Sequence, residues 1–182
     1  MSDFELYNLE TAPEASKSLL ENSVKGFGMV PNLHAVMAES PALLEAYQTL
    51  HGLAQKASFD NEELTVVWQT INVEHACHYC VPAHTAIANM MQVDIEITEA
   101  LRNQTPLQSS RLETLRETTL LMVRNRGVIE QGDIDTFYAA GFSKQNLLDI
   151  VLVLAQKIMS NFTNHLADTP VDEPFKVFAW KK

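Results

Sequence analysis

The sequence has little positive charge. It contains 13 Lys and Arg residues against 23 Asp and Glu residues, which gives a formal net charge of -10 at pH 7. Nucleic acids and anionic membrane surfaces are bound by clustered lysine and arginine side chains, and the sequence shows no basic cluster. We therefore expect no nucleic-acid partner.

Long apolar runs are also lacking. No stretch approaches the roughly 20 apolar residues that a membrane span needs. The first residues, Met1-Ser2-Asp3-Phe4-Glu5, have neither the positive nor the apolar region of a secretory signal. These absences predict no membrane association and a cytoplasmic location.

Signals for β-structure are missing as well. There is no Asn-Gly or Asp-Gly hairpin turn and no sustained alternation of apolar and polar residues. Hydrophobic residues make up 46% and charged residues 20%, as in ordinary globular proteins. We predict one all-α domain over residues 1–182, with an N-terminal arm at about 1–15 and a C-terminal tail at about 168–182.

Helix start signals divide the chain. Ser40-Pro41 pairs a cap with proline at the first helical position, Asp60 and Ser110 open capping boxes, and Ser143 precedes a long apolar run. Eight helices are predicted in all. The first four are a helix over about 13–24, a short one that ends at Met37, one that begins after Ser40 and one that begins after Asp60. The other four are 81–91, a helix from Ser110 that stops at Gly127, 133–140 and about 147–166.

The tail is extended by Pro170 and Pro174 and then becomes apolar, with Phe175, Phe178 and Trp180. Such a tail packs on its own domain or on a partner subunit. We expect donation to a partner, and hence a homo-oligomer.

The chain has two cysteines, Cys77 and Cys80, and His84 follows four residues after the second. Positions i, i+3 and i+7 share one helix face, so these three side chains converge if the segment is helical. Pro82 is tolerated only in a first helical turn, which predicts that the cysteines straddle a helix start.

A cysteine pair at a helix N-terminus favours redox chemistry. The unpaired amides and the helix dipole stabilise a thiolate, and His84 is placed to act as base for Cys80. A dithiol can reduce a peroxide, because one sulfur becomes a sulfenic acid and the other condenses with it to a disulfide. Glu74, three residues before Cys77, is the candidate acid of a proton relay.

Two structural interpretations compete. The cysteines are either small buried hydrophobic residues, or zinc ligands together with His84 and a fourth group such as His75 or His78. A cysteine pair of this spacing in a cytosolic protein favours redox chemistry over both structural interpretations, so no metal and no cofactor is expected. His34, His51 and His165 show no partner in the sequence and are interpreted as structural.

The segment around the cysteines resembles the signature of the alkylhydroperoxidase D (AhpD)-like branch of the carboxymuconolactone decarboxylase superfamily. The similarity extends over about residues 20–175 and is greatest to the uncharacterised peroxidase-related members. It rests on Asn72-x-Glu74-x-x-Cys77-x-Tyr79-Cys80-x-x-x-His84, Gly28-Met29-Val30-Pro31-Asn32-Leu33, Ser40-Pro41-Ala42-Leu43-Leu44, Ala140-Gly141-Phe142-Ser143 and Asn161-x-x-Asn164-His165-Leu166-Ala167-x-Thr169-Pro170-x-Asp172.

This resemblance implies an all-helical AhpD-like fold, trimers or hexamers, and thiol-dependent reduction of hydroperoxides. It implies that Cys80 attacks the peroxide, that Cys77 resolves it, and that His84 and an upstream glutamate relay protons. The position twelve residues before Cys77, where characterised relatives carry that glutamate, is Thr65. Either Glu74 substitutes, Glu63 reaches in, or the relay is weakened.

The function predicted from the sequence is therefore that of a thiol-dependent peroxidase, re-reduced by a protein or a small dithiol. A disulfide oxidoreductase or redox sensor is the first alternative. The remaining alternatives are a lactone decarboxylase and a zinc-binding scaffold. Relatives with lactone decarboxylase activity generally lack the cysteine pair.

Overall fold

The chain is helical throughout its described part. The computed structural model describes residues 3–181, so Met1 and Ser2 of the predicted arm and Lys182 of the predicted tail lie outside it. Within this range there is no β-strand, which confirms the all-α prediction. The helices are α1 (Glu14–Phe27), α2 (Asn32–Met37), α3 (Pro41–Ala54), α4 (Asn61–Glu74), α5 (Cys80–Met90), α6 (Ile95–Asn103), α7 (Ser110–Arg124), α8 (Gln131–Ala139), α9 (Lys144–Ala167) and a closing 3₁₀ helix (Glu173–Phe178).

Capping boxes begin two of the longest helices. At α4 the Asp60 carboxylate accepts the Glu63 N–H at 2.8 Å, and the Glu63 carboxylate accepts the Asp60 N–H at 3.2 Å. Ser143 and Asn146 make the same exchange at the start of α9. Each exchange satisfies amides that a helix start leaves unpaired, so these boundaries follow from local sequence.

The first helix is longer than predicted. The sequence suggested a stop near Val24, but α1 continues to Phe27 and keeps Gly26 within it. The stop is at Gly28, whose φ of 73° is left-handed and whose N–H donates to the Val24 carbonyl at 2.8 Å. Glycine adopts that conformation without steric cost, so the second glycine of the pair ends the helix.

Two apolar cores are packed around α4 and α9. One core joins α4, α6, α7, α8 and α9 around Trp68, Phe137 and Ile150. The other joins α1, α2, α3 and the cysteine segment around Leu20, Leu44 and Tyr47. Because α9 contacts α2, α3, α4, α5 and α7, it is the element that links the two cores. Among residues 3–181, no helix is both long and apolar enough to cross a membrane.

The C-terminal tail packs on its own chain. Its 3₁₀ helix contacts α5, the Arg102 guanidinium donates to the carbonyls of Phe178 and Ala179, and the Trp180 indole N–H donates to the Arg102 carbonyl at 3.0 Å. The expectation that this tail is donated to a partner subunit is therefore not what the structure shows. An apolar tail has the same composition whichever surface it covers.

Tyr79 joins three distant parts of the chain. Its buried hydroxyl donates to the Asp172 carboxylate and accepts the Leu33 N–H at 3.3 Å. The same carboxylate accepts the Asn32 N–H at 3.0 Å. The cysteine segment, the start of α2 and the tail are thus held together by one buried carboxylate.

We expect Tyr79→Phe to lower the free energy of unfolding by about 1–3 kcal/mol, because it leaves a buried carboxylate without one of its donors. Denaturant unfolding measures the change. Tyr7→Phe is the matched control, since the Tyr7 hydroxyl also donates to a carboxylate, that of Glu39, but at the surface. An equal loss in both variants would show that burial of the Tyr79 contact is irrelevant.

Candidate functional site

The two cysteines lie at the junction of α4 and α5. After α4 ends at Glu74, Ala76 takes a left-handed φ of 52° and the Cys77 N–H returns to the Asn72 carbonyl at 3.0 Å. This sharp reversal lets α5 begin at Cys80, with Pro82 in its first turn. The pair therefore straddles a helix start, as the sequence predicted.

Both thiols are free and buried, with Cys77 0% and Cys80 2% exposed. The Cys80 N–H donates to the Cys77 sulfur at 3.2 Å. The Asn164 side-chain amide of α9 lies 3.2 Å from the Cys80 sulfur and 3.9 Å from the Cys77 sulfur. Asn164 is thus the described side chain that reaches both sulfurs.

Three buried side-chain amides form a hydrogen-bonded chain next to the thiols. The Asn161 side chain donates to that of Asn72 at 3.0 Å, Asn72 donates to Gln69 at 3.0 Å, and Gln69 donates to the Val81 carbonyl at 3.1 Å. All three of these amide side chains have zero exposure. Buried amides are costly unless paired, so this chain holds α9, α4 and α5 in one arrangement.

His84 is paired with a lysine. The Lys157 ammonium on α9 lies 2.8 Å from Nε2 of His84, and both side chains are buried. An ammonium group only donates, so Nε2 accepts and the imidazole proton belongs on Nδ1, which has no partner in the described structure. Burial, followed by the charge of Lys157, lowers the pKa of His84 well below its ordinary value. His84 is therefore a neutral acceptor.

The two thiols have opposite pKa shifts. Burial raises the pKa of Cys80, but the hydrogen bond with Cys77, the Lys157 charge and the amides of Asn161 and Asn164 outweigh it and bring the pKa to about 5. Burial and the neighbouring Cys80 raise the pKa of Cys77 far above its ordinary value. These opposite shifts favour a thiolate at Cys80 and a thiol at Cys77, the state in which one sulfur attacks and the other resolves.

An apolar cavity of about 60 Å³ opens onto Cys80. His84, Lys157 and Tyr79 line it beside the thiol, and Phe27, His34, Tyr47 and His51 form its wall toward a larger surface cleft of about 490 Å³. Trp68 stacks on His51 with ring centroids 5.6 Å apart and contacts His84 at 4.8 Å. His34 and His51, interpreted from the sequence as structural, are part of the cavity wall, whereas His165 is exposed.

The predicted relay carboxylates are paired elsewhere. Both oxygens of Glu74 accept from Arg124 on α7, at 2.8 and 2.9 Å. Glu63 accepts from Arg111 at 2.6 Å, and Thr65 is buried in α4. Neither carboxylate is among the described residues that line the thiol cavity. A relay role for Glu74 stays a prediction, and its ion pair with Arg124 weighs against it.

The other histidines of the cysteine segment also have partners. His75 Nδ1 lies 2.8 Å from the Asn161 side-chain oxygen, and His78 Nε2 lies 3.0 Å from the Thr169 carbonyl. Within residues 3–181, no three histidine, cysteine or carboxylate side chains are placed together to hold a metal ion. The zinc interpretation therefore finds no ligand set in this part of the chain.

Sequence reasoning missed Lys157 and gave no role to Asn161 and Asn164. These residues occur at i, i+4 and i+7 of α9, on one face of the helix. The signal was a lysine inside the longest apolar run, followed at helical spacing by two amides. An uncompensated charge inside a buried helix is costly, and that cost marks a functional face.

No protein-family model matches the sequence, and no curated protein matches it. Solved structures do match. One is an alkylhydroperoxidase AhpD core, an uncharacterised peroxidase-related protein from Ralstonia eutropha JMP134, with a TM-score of 0.79 and 18% identity over 96% of this chain and 94% of that one. This chain has the AhpD-like fold.

Two further structures share this AhpD-like fold. An uncharacterised peroxidase-related protein from Silicibacter sp. TM1040 has a TM-score of 0.73 and 23% identity, over 95% of this chain and 92% of that one. A cysteine-to-alanine variant of the debrominase Bmp8, in complex with 2,3,4-tribromopyrrole, has a TM-score of 0.77 and 15% identity, over 97% and 95%. The AhpD-like fold thus occurs in proteins that are named for more than one activity.

We expect Asn164→Ala to raise the pKa of Cys80 by about one unit, because a hydrogen bond to a charged acceptor contributes roughly 1.5–3 kcal/mol and part of it is replaced on relaxation. Ultraviolet absorbance of the thiolate, followed against pH, measures it. Asn89→Ala, an exposed asparagine on α5, is the control. An unchanged titration in Asn164→Ala would mean that its amide does not bind the thiolate.

Proposed function

We propose that this protein is a thiol-dependent peroxidase of the AhpD-like family that reduces hydroperoxides through a Cys77/Cys80 dithiol–disulfide cycle. The observation that carries the proposal is the asymmetric thiol pair, with a low pKa at Cys80 and a high one at Cys77, beside a cavity that opens onto Cys80. A thiolate is the nucleophile that peroxide cleavage requires.

The reaction has two steps. The Cys80 thiolate attacks the outer oxygen of ROOH, the O–O bond breaks, and Cys80 becomes a sulfenic acid while RO⁻ takes up a proton to leave as ROH. The Cys77 thiol then attacks the sulfenic sulfur, a disulfide forms, and water leaves with the hydroxyl group. A role for His84 as base stays a prediction: its Nε2 accepts from the Lys157 ammonium, and burial and that charge lower its pKa.

Burial of the sulfurs favours peroxidase chemistry over disulfide exchange with folded proteins. A protein disulfide needs its attacker in line with the S–S bond, and both sulfurs here are almost fully covered. Hydrogen peroxide is a hydroperoxide whose size suits the cavity of about 60 Å³ beside Cys80. The reductant in this proposal is a small dithiol, or a dithiol on a protein's extended arm, in a reducing cytoplasm.

Assembly into homo-oligomers, trimers or hexamers, belongs to the same proposal. Its support is a row of exposed apolar side chains along α9: Leu148, Val151, Ile158, Phe162 and Leu166. Exposed apolar faces of this length mark association surfaces in soluble proteins. Sedimentation of the purified protein measures the subunit number.

We expect the reduced protein to lose both thiols and two mass units on treatment with one equivalent of cumene hydroperoxide or hydrogen peroxide. Thiol counting and intact mass measure both changes. Cys77→Ser should instead hold a sulfenic acid at Cys80, because no resolving thiol remains. Cys80→Ser is expected to be inert, and retained peroxide turnover in that variant would contradict the proposal.

Reductive removal of a halogen is a second candidate function. The debrominase shares the fold over nearly the whole chain, and aromatic and histidine rings line the cavity beside Cys80. A dithiol supplies the two electrons, since ArBr and two thiols give ArH, HBr and a disulfide. Under the peroxidase proposal, the reduced protein mixed with 2,3,4-tribromopyrrole keeps its thiols and releases no bromide. Bromide release with loss of both thiols favours the second candidate instead.

A further inference from the structure

Lys157 is a buried charge without a carboxylate. Its exposure is 0%, its described side-chain partner is Nε2 of His84, and none of the ion pairs among residues 3–181 includes it. A buried ammonium is strongly destabilised unless an opposite charge lies near it. Burial lowers the pKa of Lys157, so its ammonium form depends on a counter-charge other than a carboxylate.

As a thiolate, Cys80 can supply that counter-charge. Lys157 and Cys80 line the same cavity, and the described lining contains no carboxylate and no second lysine or arginine. Burial lowers the pKa of Lys157, while the charges of Cys80 and Cys77 raise it, and the Lys157 charge in turn lowers the pKa of Cys80. Each charge therefore opposes the effect of burial on the pKa of the other group.

The other titratable groups around Lys157 do not compete for this role. They are His34 of α2, Tyr47 and His51 of α3, Cys77 and Tyr79 of the segment before α5, and His84 of α5. Burial lowers the pKa of His34 to about 3 and of His51 to about 4, and it lowers that of His84 further. Burial also raises the pKa values of Tyr47 and Tyr79. Lys157 is the one lysine or arginine in the described lining, and the histidines beside it have lowered pKa values.

We propose that Lys157 is the acid of this site: its ammonium group, held on His84, balances the Cys80 thiolate and donates a proton to the oxygen that leaves when the O–O bond breaks. This inference rests on the proposed peroxidase function. It assigns to a lysine on α9 the proton transfer that the resemblance to the AhpD-like family implied for a glutamate.

With Lys157 as the proton donor, every proton in the reaction is accounted for. The site starts with a Cys80 thiolate, a Cys77 thiol and a Lys157 ammonium. Attack on ROOH gives the Cys80 sulfenic acid and RO⁻, and RO⁻ takes a proton from Lys157 to become ROH, leaving a neutral amine on His84. Condensation with Cys77 then releases water. The oxidised site holds a disulfide and a neutral lysine, so both buried charges disappear together and return together on reduction.

The first test measures the thiolate itself. In Lys157→Met we expect the pKa of Cys80 to rise by at least about one unit, a tenfold change in its acid dissociation constant, measured by ultraviolet absorbance against pH on the full chain. Lys144→Met, at the exposed start of the same helix, removes an equal net charge and should leave the titration unchanged. Lys157→Gln serves if Lys157→Met does not fold by circular dichroism. An unshifted titration overturns the charge pairing even if the protein proves to have no peroxidase activity.

The second test isolates the proton donation. Single-turnover oxidation is compared for hydrogen peroxide, whose leaving group is a strongly basic hydroxide, and peracetic acid, whose leaving acetate needs no proton. Corrected for thiolate share, Lys157→Met should slow the first reaction roughly 100-fold or more and change the second little. Equal slowing of both reactions overturns the acid role.

A failure of the proposed peroxidase function gives a different result. Wild-type protein would then react with neither oxidant, while the thiolate titration would still report whether Lys157 and Cys80 are coupled. The two conclusions are therefore separable.

Discussion

The negative charge on Cys80 has to be stabilised where burial opposes it, and the surrounding structure provides that stabilisation. Burial by itself raises the pKa of a thiol. Here the Cys77 sulfur, the Asn164 amide and the Lys157 charge act in the opposite direction and prevail. Each of these groups is held by a different contact, so the low pKa depends on the packing of α5 against α9.

The same requirement explains why α9 is polar on one face within an otherwise apolar sequence. Lys157, Asn161 and Asn164 occupy successive turns of that face and are fully buried. Asn161 connects to Asn72 on α4, which extends the network to a third helix. Breaking any link would leave a buried amide or charge unpaired, at a cost larger than a typical surface contact contributes. The interactions that position the thiols therefore also hold the two apolar cores together.

Local signals predicted much of this structure. The capping box at Asp60, the cap at Ser143 and the placement of Pro82 depend on residues within one helical turn, so the places where α4, α5 and α9 begin could be predicted approximately from sequence. Segments that resembled the AhpD-like family, such as those around Asn32, Tyr79 and Asp172, also proved to meet in space.

Long-range pairings could not be predicted in the same way. Glu74 was chosen for its nearness to Cys77 along the chain, but its ion pair is with Arg124, fifty residues away. Lys157 was missed for the converse reason, because its partner His84 lies 73 residues before it. A period of 3.6 residues identifies which residues share a face, and it does not identify which helix that face meets.

Access to the buried sulfurs limits the chemistry of the proposed cycle. The cavity at Cys80 is narrow, and the larger cleft beyond it is separated by a wall that includes His34, Tyr47 and His51. A small oxidant passes such a wall more easily than a folded reductant does. Re-reduction by a protein therefore needs a wider opening than oxidation does. A dithiol on a slender arm meets both demands, because it can enter the cleft while its carrier stays outside. If the carrier must instead approach closely, the wall has to move, and its aromatic contacts with α1 and α3 are where that movement would have to begin.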